Sequence, residues 1–218
     1  EAMSLVPMLV GAEDADPWLA EHRPEVYTTM GITAENVARQ WGISRADMDA
    51  MAVESHRRAA QAQAGGCFDG QIIPITVHGK RENTVITTDE HVRRDTTLEK
   101  LAKLRPAFLR DGTGAVTAGN ASGMNDGASA VVVMGEDIAK ARGIKPLVRI
   151  VSSATAGVDP NVMGLGPVPA TRLALQRAGL KLEDIGLFEL NEAFAAQSLG
   201  CIKLLGWEDK MDIINVNG

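Results

Sequence analysis

The chain has 218 residues, of which 45% are hydrophobic and 23% charged, a composition typical of a soluble globular protein. Its net charge of -6 and its pI of about 5.3 argue against a nucleic-acid partner, because such binding needs a basic face. No stretch reaches the roughly 18 to 20 apolar residues that span a bilayer, and residues 1–4 do not resemble a signal peptide. We therefore expect a cytoplasmic protein with no membrane partner.

The two cysteines, Cys67 and Cys201, offer neither a disulfide framework nor the spacing of metal ligands. This pattern is typical of a reducing compartment and predicts no metal site. The abrupt ends at Glu1 and Gly218 indicate a segment of a longer chain.

Two helices are predicted in the first third of the chain. Residues 9–32 lack a hydrophobic period and predict an irregular connection, after which residues 34–41 have the pattern of a short helix. A second helix begins at Ser44, because a serine followed three residues later by Asp47 is a capping-box pattern. Its apolar residues, Met48 among them, recur at helical spacing and are predicted to fill the core.

The second third mixes short β-prone runs with polar turns. Residues 72–77 and 84–87 are predicted to be strands, and a short helix is expected near residues 98–104. At residues 128–134 a continuous apolar run has the length of a buried strand, and a helix is predicted over residues 136–142.

The last third alternates between strand and helix patterns. The predicted strands are residues 147–153, 186–190 and 212–216, and the predicted helices are residues 171–178 and 192–205. This βαβαβ order predicts an α/β fold in which helices cover both faces of a sheet.

A polar pair, Asn191 and Glu192, stands where the predicted strand 186–190 passes into a helix. Ligands of open α/β sheets bind beyond the carboxyl ends of strands. An amide never ionises, so Asn191 can hold a water or a carbonyl oxygen at any pH, which suits an oxyanion site. The residues alone also allow a second interpretation, in which Asn191 caps the helix and Glu192 favours the helix dipole. Both interpretations stay open at this point.

The octapeptide LNEAFAAQ at residues 190–197 resembles the Asn-Glu-Ala-Phe motif of thiolases, and TAGNASGMNDGA at residues 117–128 resembles a second thiolase motif. Two long matches in the right order are hard to produce by accident. Other segments similar to thiolases lie along nearly the whole chain, namely MSLVPM (3–8), MGITAEN (30–36), KLRPAF (103–108), GVDP (157–160), MGLGP (163–167) and NVNG (215–218). The chain is identified as a member of the thiolase family.

The resemblance implies a fold of thiolase-like layered αβα domains, incomplete here, with an inserted α+β loop domain. Residues 1–142 would be the C-terminal part of the thiolase N-terminal domain, including a CoA-binding loop region at about residues 9–122. Residues 143–218 would be the N-terminal part of the thiolase C-terminal domain.

The resemblance also implies an acyltransferase. Thiolases cleave 3-ketoacyl-CoA with CoA, or condense acetyl-CoA in the reverse Claisen direction, through an acyl-cysteine enzyme. Their nucleophilic cysteine, their Gly-His-Pro histidine and their Cys-Gly-Gly-Gly cysteine have no match among these residues, so we expect the nucleophile and base to lie outside this chain. The alternative is a non-catalytic thiolase-like protein that binds CoA.

Site residues carry over from the family position by position. Asn191 matches the catalytic asparagine that fixes a water for the enolate oxygen. Arg93 matches a residue near the adenine and phosphates of CoA, although an arginine there could also be only a solvated charge. The remaining substrate-binding matches are Phe108, Ala118, Ser122 and Met124 beside the pantetheine arm, and Met163, Ala193 and Phe194 near the thioester.

The implied partners are acetyl-CoA, 3-ketoacyl-CoA and CoA as substrates, with no further cofactor, and a homo-oligomer, dimer or tetramer, in full-length form. Thr29 stands where many acetoacetyl-specific thiolases have a histidine, so the chain looks closer to degradative enzymes of β-oxidation. Cys67 and Cys201 have no evident base and are expected to be structural. Surface positions are predicted for the four histidines, His22, His56, His78 and His91.

Overall fold

The computed structural model describes residues 15–218. The segment 3–8 and the start of the predicted connection 9–32 lie outside the described residues. The α-helices are α1 (Pro17–His22), α2 (Met30–Trp41), α3 (Arg45–Ala64), α4 (Leu98–Ala102), α5 (Glu136–Ala141), α6 (Pro167–Ala178) and α7 (Ala195–Leu205). Short 3₁₀ helices span Pro24–Tyr27, Pro160–Leu165, Leu182–Asp184 and Glu208–Lys210, and the strands are β1 (Ile75–His78) and β2 (Asn83–Ile86).

The capping box predicted at the start of α3 is confirmed. The Ser44 hydroxyl accepts a hydrogen bond from the Asp47 backbone N–H at 3.1 Å, and the Asp47 carboxylate accepts one from the Ser44 backbone N–H at 3.2 Å. These two bonds satisfy backbone donors that the first turn leaves free. The helix therefore begins where a purely local signal predicts it.

Helix α2 begins at Met30, four residues before the predicted start at residue 34. Gly31 lies in the first turn of this helix, against the ring of Phe108. A Cβ atom at Gly31 would come within 2.2 Å of that ring, so the position excludes any side chain. A glycine weakens a helix by its backbone entropy, but at this position it allows the close packing of α2 against Phe108.

Strands β1 and β2 form an antiparallel hairpin in which Ile75 pairs with Ile86 and His78 with Asn83. They confirm the two strands expected near residues 72–77 and 84–87. The first is shorter and ends one residue later than predicted, and the second is shifted by one residue toward the N-terminus. Their side chains are almost all exposed, so the hairpin adds little to the core.

The core forms around α2, α3 and α7. One buried cluster joins Val37 of α2 to Cys201 and Ile202 of α7, and a second joins Met48 of α3 to Ala196 of α7. Helices α2 and α7 lie close together at Gly200, where a Cβ atom would stand 2.8 Å from Val37 Cγ1. Met48 is fully buried, which confirms its predicted core position. The shared core links the two sides of the boundary predicted at residues 142 and 143.

Two predicted strands are wrong in this structure. Residues 128–134 and 147–153 have no strand assignment, and Val131 and Leu147 are 86% and 100% exposed. A strand needs a partner for its backbone hydrogen bonds, and neither run forms a ladder with any of the described residues. Their apolar composition predicts burial, but it does not supply that partner.

The predicted strands 186–190 and 212–216 are reduced to one parallel bridge between Phe188 and Ile214. The Phe188 N–H donates to the Ile213 carbonyl, and the Asn215 N–H donates to the Phe188 carbonyl, each at 2.9 Å. Helix α7 connects these two parallel segments, so the βαβ connection expected here is present in shortened form. Among residues 15–218, no helix combines the length and the apolar character needed to cross a membrane.

Candidate functional site

The two longest sequence motifs meet in the structure through backbone hydrogen bonds. In chain order, the first motif is residues 117–128 and the second motif is residues 190–197. Ala121 and Phe194 form an antiparallel bridge, and the Ser122 N–H donates to the Ala193 carbonyl at 3.0 Å. The Ala195 N–H donates to the Asn120 carbonyl at 2.9 Å, which satisfies the first donor of α7. Residues 120–122 therefore hold the start of α7 in place.

Because of this pairing, Asn191 does not cap a helix. Helix α7 starts at Ala195 rather than at the predicted Glu192, and its N-cap residue is Phe194, in an extended conformation with no side-chain capping bond. The residues just before Ala195 pair with the first motif instead of forming a helical turn. The capping interpretation of Asn191, and with it the dipole role of Glu192, is wrong.

Asn191 borders a cleft of about 700 Å³. The cleft lies between α3, the first motif and the segment after Phe188, and it contains several polar side chains. Its lining residues include Met51, Ala52, Ser55, His56, Asp89, His91, Asn120, Ser122, Glu189, Asn191, Glu192, Asn215 and Gly218. This volume lies in the range of sites for small ligands.

Three asparagines line this cleft, and the hydrogen bonds of Asn120 show that it has a structural role. Its amide oxygen accepts from the Thr117 N–H at 2.8 Å, and its amide nitrogen donates to the Asp49 carboxylate at 2.9 Å. Asp49 in turn accepts a hydrogen bond from Arg45 Nε at 2.7 Å. The buried carboxylate of Glu35 accepts from the Val116 N–H at 3.0 Å, which holds the same turn from the other side. The first motif is thereby held rigidly.

Asn215 is the second asparagine, and it is also fully used. Its amide oxygen accepts from the Leu190 N–H at 2.7 Å, while its amide nitrogen donates to the Leu190 carbonyl at 2.8 Å and to Glu192 Oε1 at 2.7 Å. Asn215 is buried and has a φ of 46°, a left-handed conformation that asparagine tolerates better than most residues. It acts as a clamp on the segment that carries Asn191. Sequence reasoning marked residues 215–218 only as a family segment and missed this role.

Asn191 differs from both. Its side chain is exposed and forms no hydrogen bond with any other residue in the range 15–218. The residues on either side of it, Leu190 and Glu192, are held by Asn215. Asn191 therefore presents a free, neutral amide from a fixed backbone, which can hold a water or a carbonyl oxygen in the cleft.

The predicted substrate-binding residues fall into two groups. Ser122 lines the cleft with Asn191. Ala193 accepts a backbone hydrogen bond from Ser122, and Phe194 forms a bridge with Ala121, the residue before Ser122. The ring of Phe108 contacts that of Phe194 edge to face, with centroids 6.1 Å apart. These four residues and Asn191 lie together. The others, Ala118, Met124, Met163 and Arg93, are exposed and do not line the cleft.

Two histidines that were expected on the surface line the cleft. His56 on α3 is half-buried, and its ring centroid lies 6.3 Å from that of His91. Burial lowers the pKa of His56 from its ordinary value, the charges of His91 and Arg93 lower it further, and Glu192 opposes them. His56 is therefore less exposed than predicted, whereas His91 is exposed as expected. The local sequence gives no signal for the place of His56 in the cleft, because the cleft is formed by segments far apart in the chain.

The cysteines are not positioned as nucleophiles. Cys201 is fully buried in α7, its thiol donates to the Gly164 carbonyl at 3.4 Å, and burial raises its pKa. Cys67 is exposed and does not line the cleft. Within the part of the chain that the structure describes, no three His, Cys, Asp or Glu side chains group as a metal site would require.

Comparison with known proteins gives matches along the described chain. The family model of the thiolase N-terminal domain matches residues 18–137, and that of the thiolase C-terminal domain matches residues 144–218. A β-ketothiolase of Cupriavidus necator is 48% identical over 229 residues, and a 3-ketoacyl-CoA thiolase of Bacillus subtilis is 49% identical over 227 residues. Each alignment covers 100% of this chain and 57% of the relative.

A crystal structure of the acetyl-CoA acetyltransferase of Bacillus anthracis superimposes with a TM-score of 0.83 at 50% sequence identity. This match covers 87% of the present chain and 47% of the other. The chain thus spans about half the length of the relatives it matches. At this identity the likeness establishes the mixed α/β fold.

Proposed function

Because this chain belongs to the thiolase family, we propose that the protein is an acetyl-CoA C-acyltransferase. It cleaves 3-ketoacyl-CoA with CoA, or condenses acetyl-CoA in the reverse direction, through an acyl-cysteine enzyme. We place the nucleophile and the base outside these 218 residues, since Cys201 is buried with a raised pKa and Cys67 does not line the cleft.

The free amide of Asn191 is the observation that carries this proposal. An acyl transfer by carbon-carbon cleavage develops negative charge on an enolate oxygen, which a fixed hydrogen-bond donor stabilises. Asn191 is the cleft asparagine whose amide is not used by other described residues, whereas Asn120 and Asn215 are bound by their neighbours. We assign Asn191 the role of holding the water that donates to the enolate oxygen.

Two further residues are proposed to contact the substrate. Ser122 offers its hydroxyl at the cleft, beside the segment of Ala193 and Phe194, and is proposed to contact the pantetheine arm. Arg93 is proposed to contact the phosphates of CoA. No cofactor beyond the CoA substrates is proposed. A homo-oligomer, dimer or tetramer, and a cytoplasmic location stay predictions from the resemblance.

The test is thiolysis of acetoacetyl-CoA by the full-length protein and its Asn191→Ala variant. Removing one oxyanion donor lowers turnover about 10²- to 10³-fold, and the Michaelis constant should change little because the interaction forms mainly in the transition state. Asn83→Ala, at an exposed position of β2, is the matched control and should keep wild-type turnover.

Melting temperatures of the same preparations separate chemistry from folding. A loss of stability in Asn191→Ala without a loss of turnover would contradict the assigned role. A wild-type protein that binds CoA but never cleaves acetoacetyl-CoA would instead support the alternative, a non-catalytic CoA-binding protein.

A further inference from the structure

Segment 89–94 crosses α3 and is tied to it at two places. His56 Nδ1 accepts a hydrogen bond from the Arg93 backbone N–H at 3.2 Å. Gln63 Nε2 donates to the Asp89 carbonyl at 2.9 Å, and Gln63 Oε1 accepts from Arg94 Nη2 at 3.1 Å. His56 and Gln63 are seven residues apart, about two helical turns, so they lie on the same face of α3.

The segment itself has no helix or strand to hold it. Its internal bonds are local: the Asp89 carboxylate accepts from the His91 N–H at 2.9 Å, and the Arg93 carbonyl accepts from the Thr96 hydroxyl at 2.8 Å. Such bonds shape a turn but do not place it against the rest of the molecule. The bonds to His56 and Gln63 connect the segment to the rigid helix.

The two arginines of the segment differ in availability. The Arg94 guanidinium is engaged by Gln63. That of Arg93 is exposed and forms no hydrogen bond or ion pair with residues 15–218, although its backbone N–H and carbonyl are both used. The segment therefore has a fixed backbone at Arg93 and a cationic side chain that is free to meet an anion.

We propose that His56 and Gln63 are positioning residues that hold Arg93 where its guanidinium contacts the phosphates of CoA. The proposal rests on the proposed function, because it takes an acyl-CoA as the substrate. His56 and Gln63 are proposed to act without contacting the phosphates themselves. They act through the backbone of Arg93 and through the neighbouring residues of its segment.

Acid should release the tie at His56. The Arg93 backbone N–H can only donate, so the His56 Nδ1 must be unprotonated, and a doubly protonated ring would break this bond. The charged or titratable groups that face His56 are His91, Arg93 and Glu192, with Asp89 on the same cleft wall. Burial, followed by electrostatic interaction with His91 and Arg93, lowers the pKa of His56, which keeps its ring neutral to a lower pH than an exposed histidine.

The experiment compares His56→Leu, His56→Asn and Arg93→Ala in the full-length protein. Asparagine places an amide oxygen at the branch where histidine carries Nδ1, so it can still accept the bond but does not titrate. His78→Leu removes an exposed imidazole from β1 and is the matched control. The measurements are kcat and KM for thiolysis with CoA and with pantetheine, which lacks the nucleotide phosphates.

We expect Arg93→Ala and His56→Leu to raise KM for CoA, with His56→Leu giving about 2- to 10-fold, the effect of one neutral hydrogen bond. Their kcat values, and their KM for pantetheine, should stay at the wild-type level. His56→Asn should restore KM for CoA. Between about pH 7.5 and 5.5, KM for CoA relative to pantetheine should rise more in the wild type than in His56→Asn.

An active wild type in which Arg93→Ala raises KM for CoA while His56→Leu does not would overturn the positioning role alone. An Arg93→Ala variant with unchanged KM for CoA would also overturn the positioning role, because Arg93 would then make no contact with CoA that His56 and Gln63 could support. A wild type that neither cleaves acetoacetyl-CoA nor binds CoA would refute the proposed function itself. Should His56→Leu fail to fold, the pH dependence of wild type against His56→Asn decides the outcome.

Discussion

The region built from α2, α3, α7 and the two motifs contrasts with the apolar runs at residues 128–134 and 147–153. Both contain Val and Met side chains that could fill a core. In the first region, Val37, Met48 and Val116 are fully buried, whereas in the second Val132 is 85% exposed. Hydrophobicity alone does not separate the two regions.

The difference lies in hydrogen-bond partners. Residues 115–122 and 190–195 are joined by backbone bonds and by the side chains of Glu35, Asn120 and Asn215, so that their polar backbone groups are satisfied when buried. The two apolar runs form no ladder with other described residues. An extended chain without a paired neighbour stays at the surface, because burying its free N–H and C=O groups costs more than apolar contact returns.

The largest expected effect tests whether the well-ordered motif region is sufficient for chemistry. We expect the 218-residue chain alone to show no thiolysis of acetoacetyl-CoA above a catalyst-free control, since an oxyanion donor without a nucleophile leaves only residual catalysis. The full-length protein in the same assay is the positive control. Activity of the 218-residue chain that Asn191→Ala abolishes would refute this expectation.

The next effect sharpens the comparison through stability. Met48→Ala should lower the free energy of unfolding by about 2 to 5 kcal/mol, because it leaves a cavity among α2, α3 and α7. Val132→Ala, in an exposed run, should stay within about 0.5 kcal/mol. Urea denaturation of the monomeric fraction of the 218-residue chain, at low protein concentration, measures both. Equal losses in the two variants would mean that residues 128–134 are buried in solution.

A further consequence concerns association. Exposed apolar runs that form no ladder with other described residues favour pairing between chains, so we expect the 218-residue chain to be marginally stable and to form ill-defined oligomers. Val131→Lys together with Leu147→Lys should increase the monomer fraction in light scattering, because charge blocks such pairing. A monodisperse unmodified chain with one cooperative unfolding transition would contradict this prediction and would show a self-sufficient domain.

The smallest effect is on the pH dependence of stability. The pKa of His56 is lower in the folded chain than its ordinary value, so the unfolded chain takes up a proton first as the pH falls. The contribution of His56 to the free energy of unfolding is therefore fully present above about pH 6.5. It declines as the pH falls from there to the lower pKa of His56 in the folded chain. Thermal unfolding of the wild type and of His56→Asn from about pH 7.5 downward should show a shallower decline in the variant. Identical slopes would exclude His56 as the cause.

Several features could be predicted from the sequence because their causes lie within a few neighbouring residues. Ser44 and Asp47 define the start of α3, and Gly179 and Gly206 end α6 and α7 in left-handed conformations. The family motifs belong to this class as well, since they are contiguous in the chain. The domain boundary near residue 142 stays a prediction. Helices α2 and α7 lie on opposite sides of it in the chain but pack in one core, so the packing does not mark a boundary there.

Other features were decided only by the tertiary structure. The bridge between Ala121 and Phe194 joins positions far apart in the chain and moves the start of α7 past Asn191. The same kind of long-range bond makes Asn120 and Asn215 structural while it leaves Asn191 free, although all three have the same side chain. The sequence shows which side chains are able to form hydrogen bonds. Only the tertiary structure shows which of them are bonded within the protein and which remain available to a ligand.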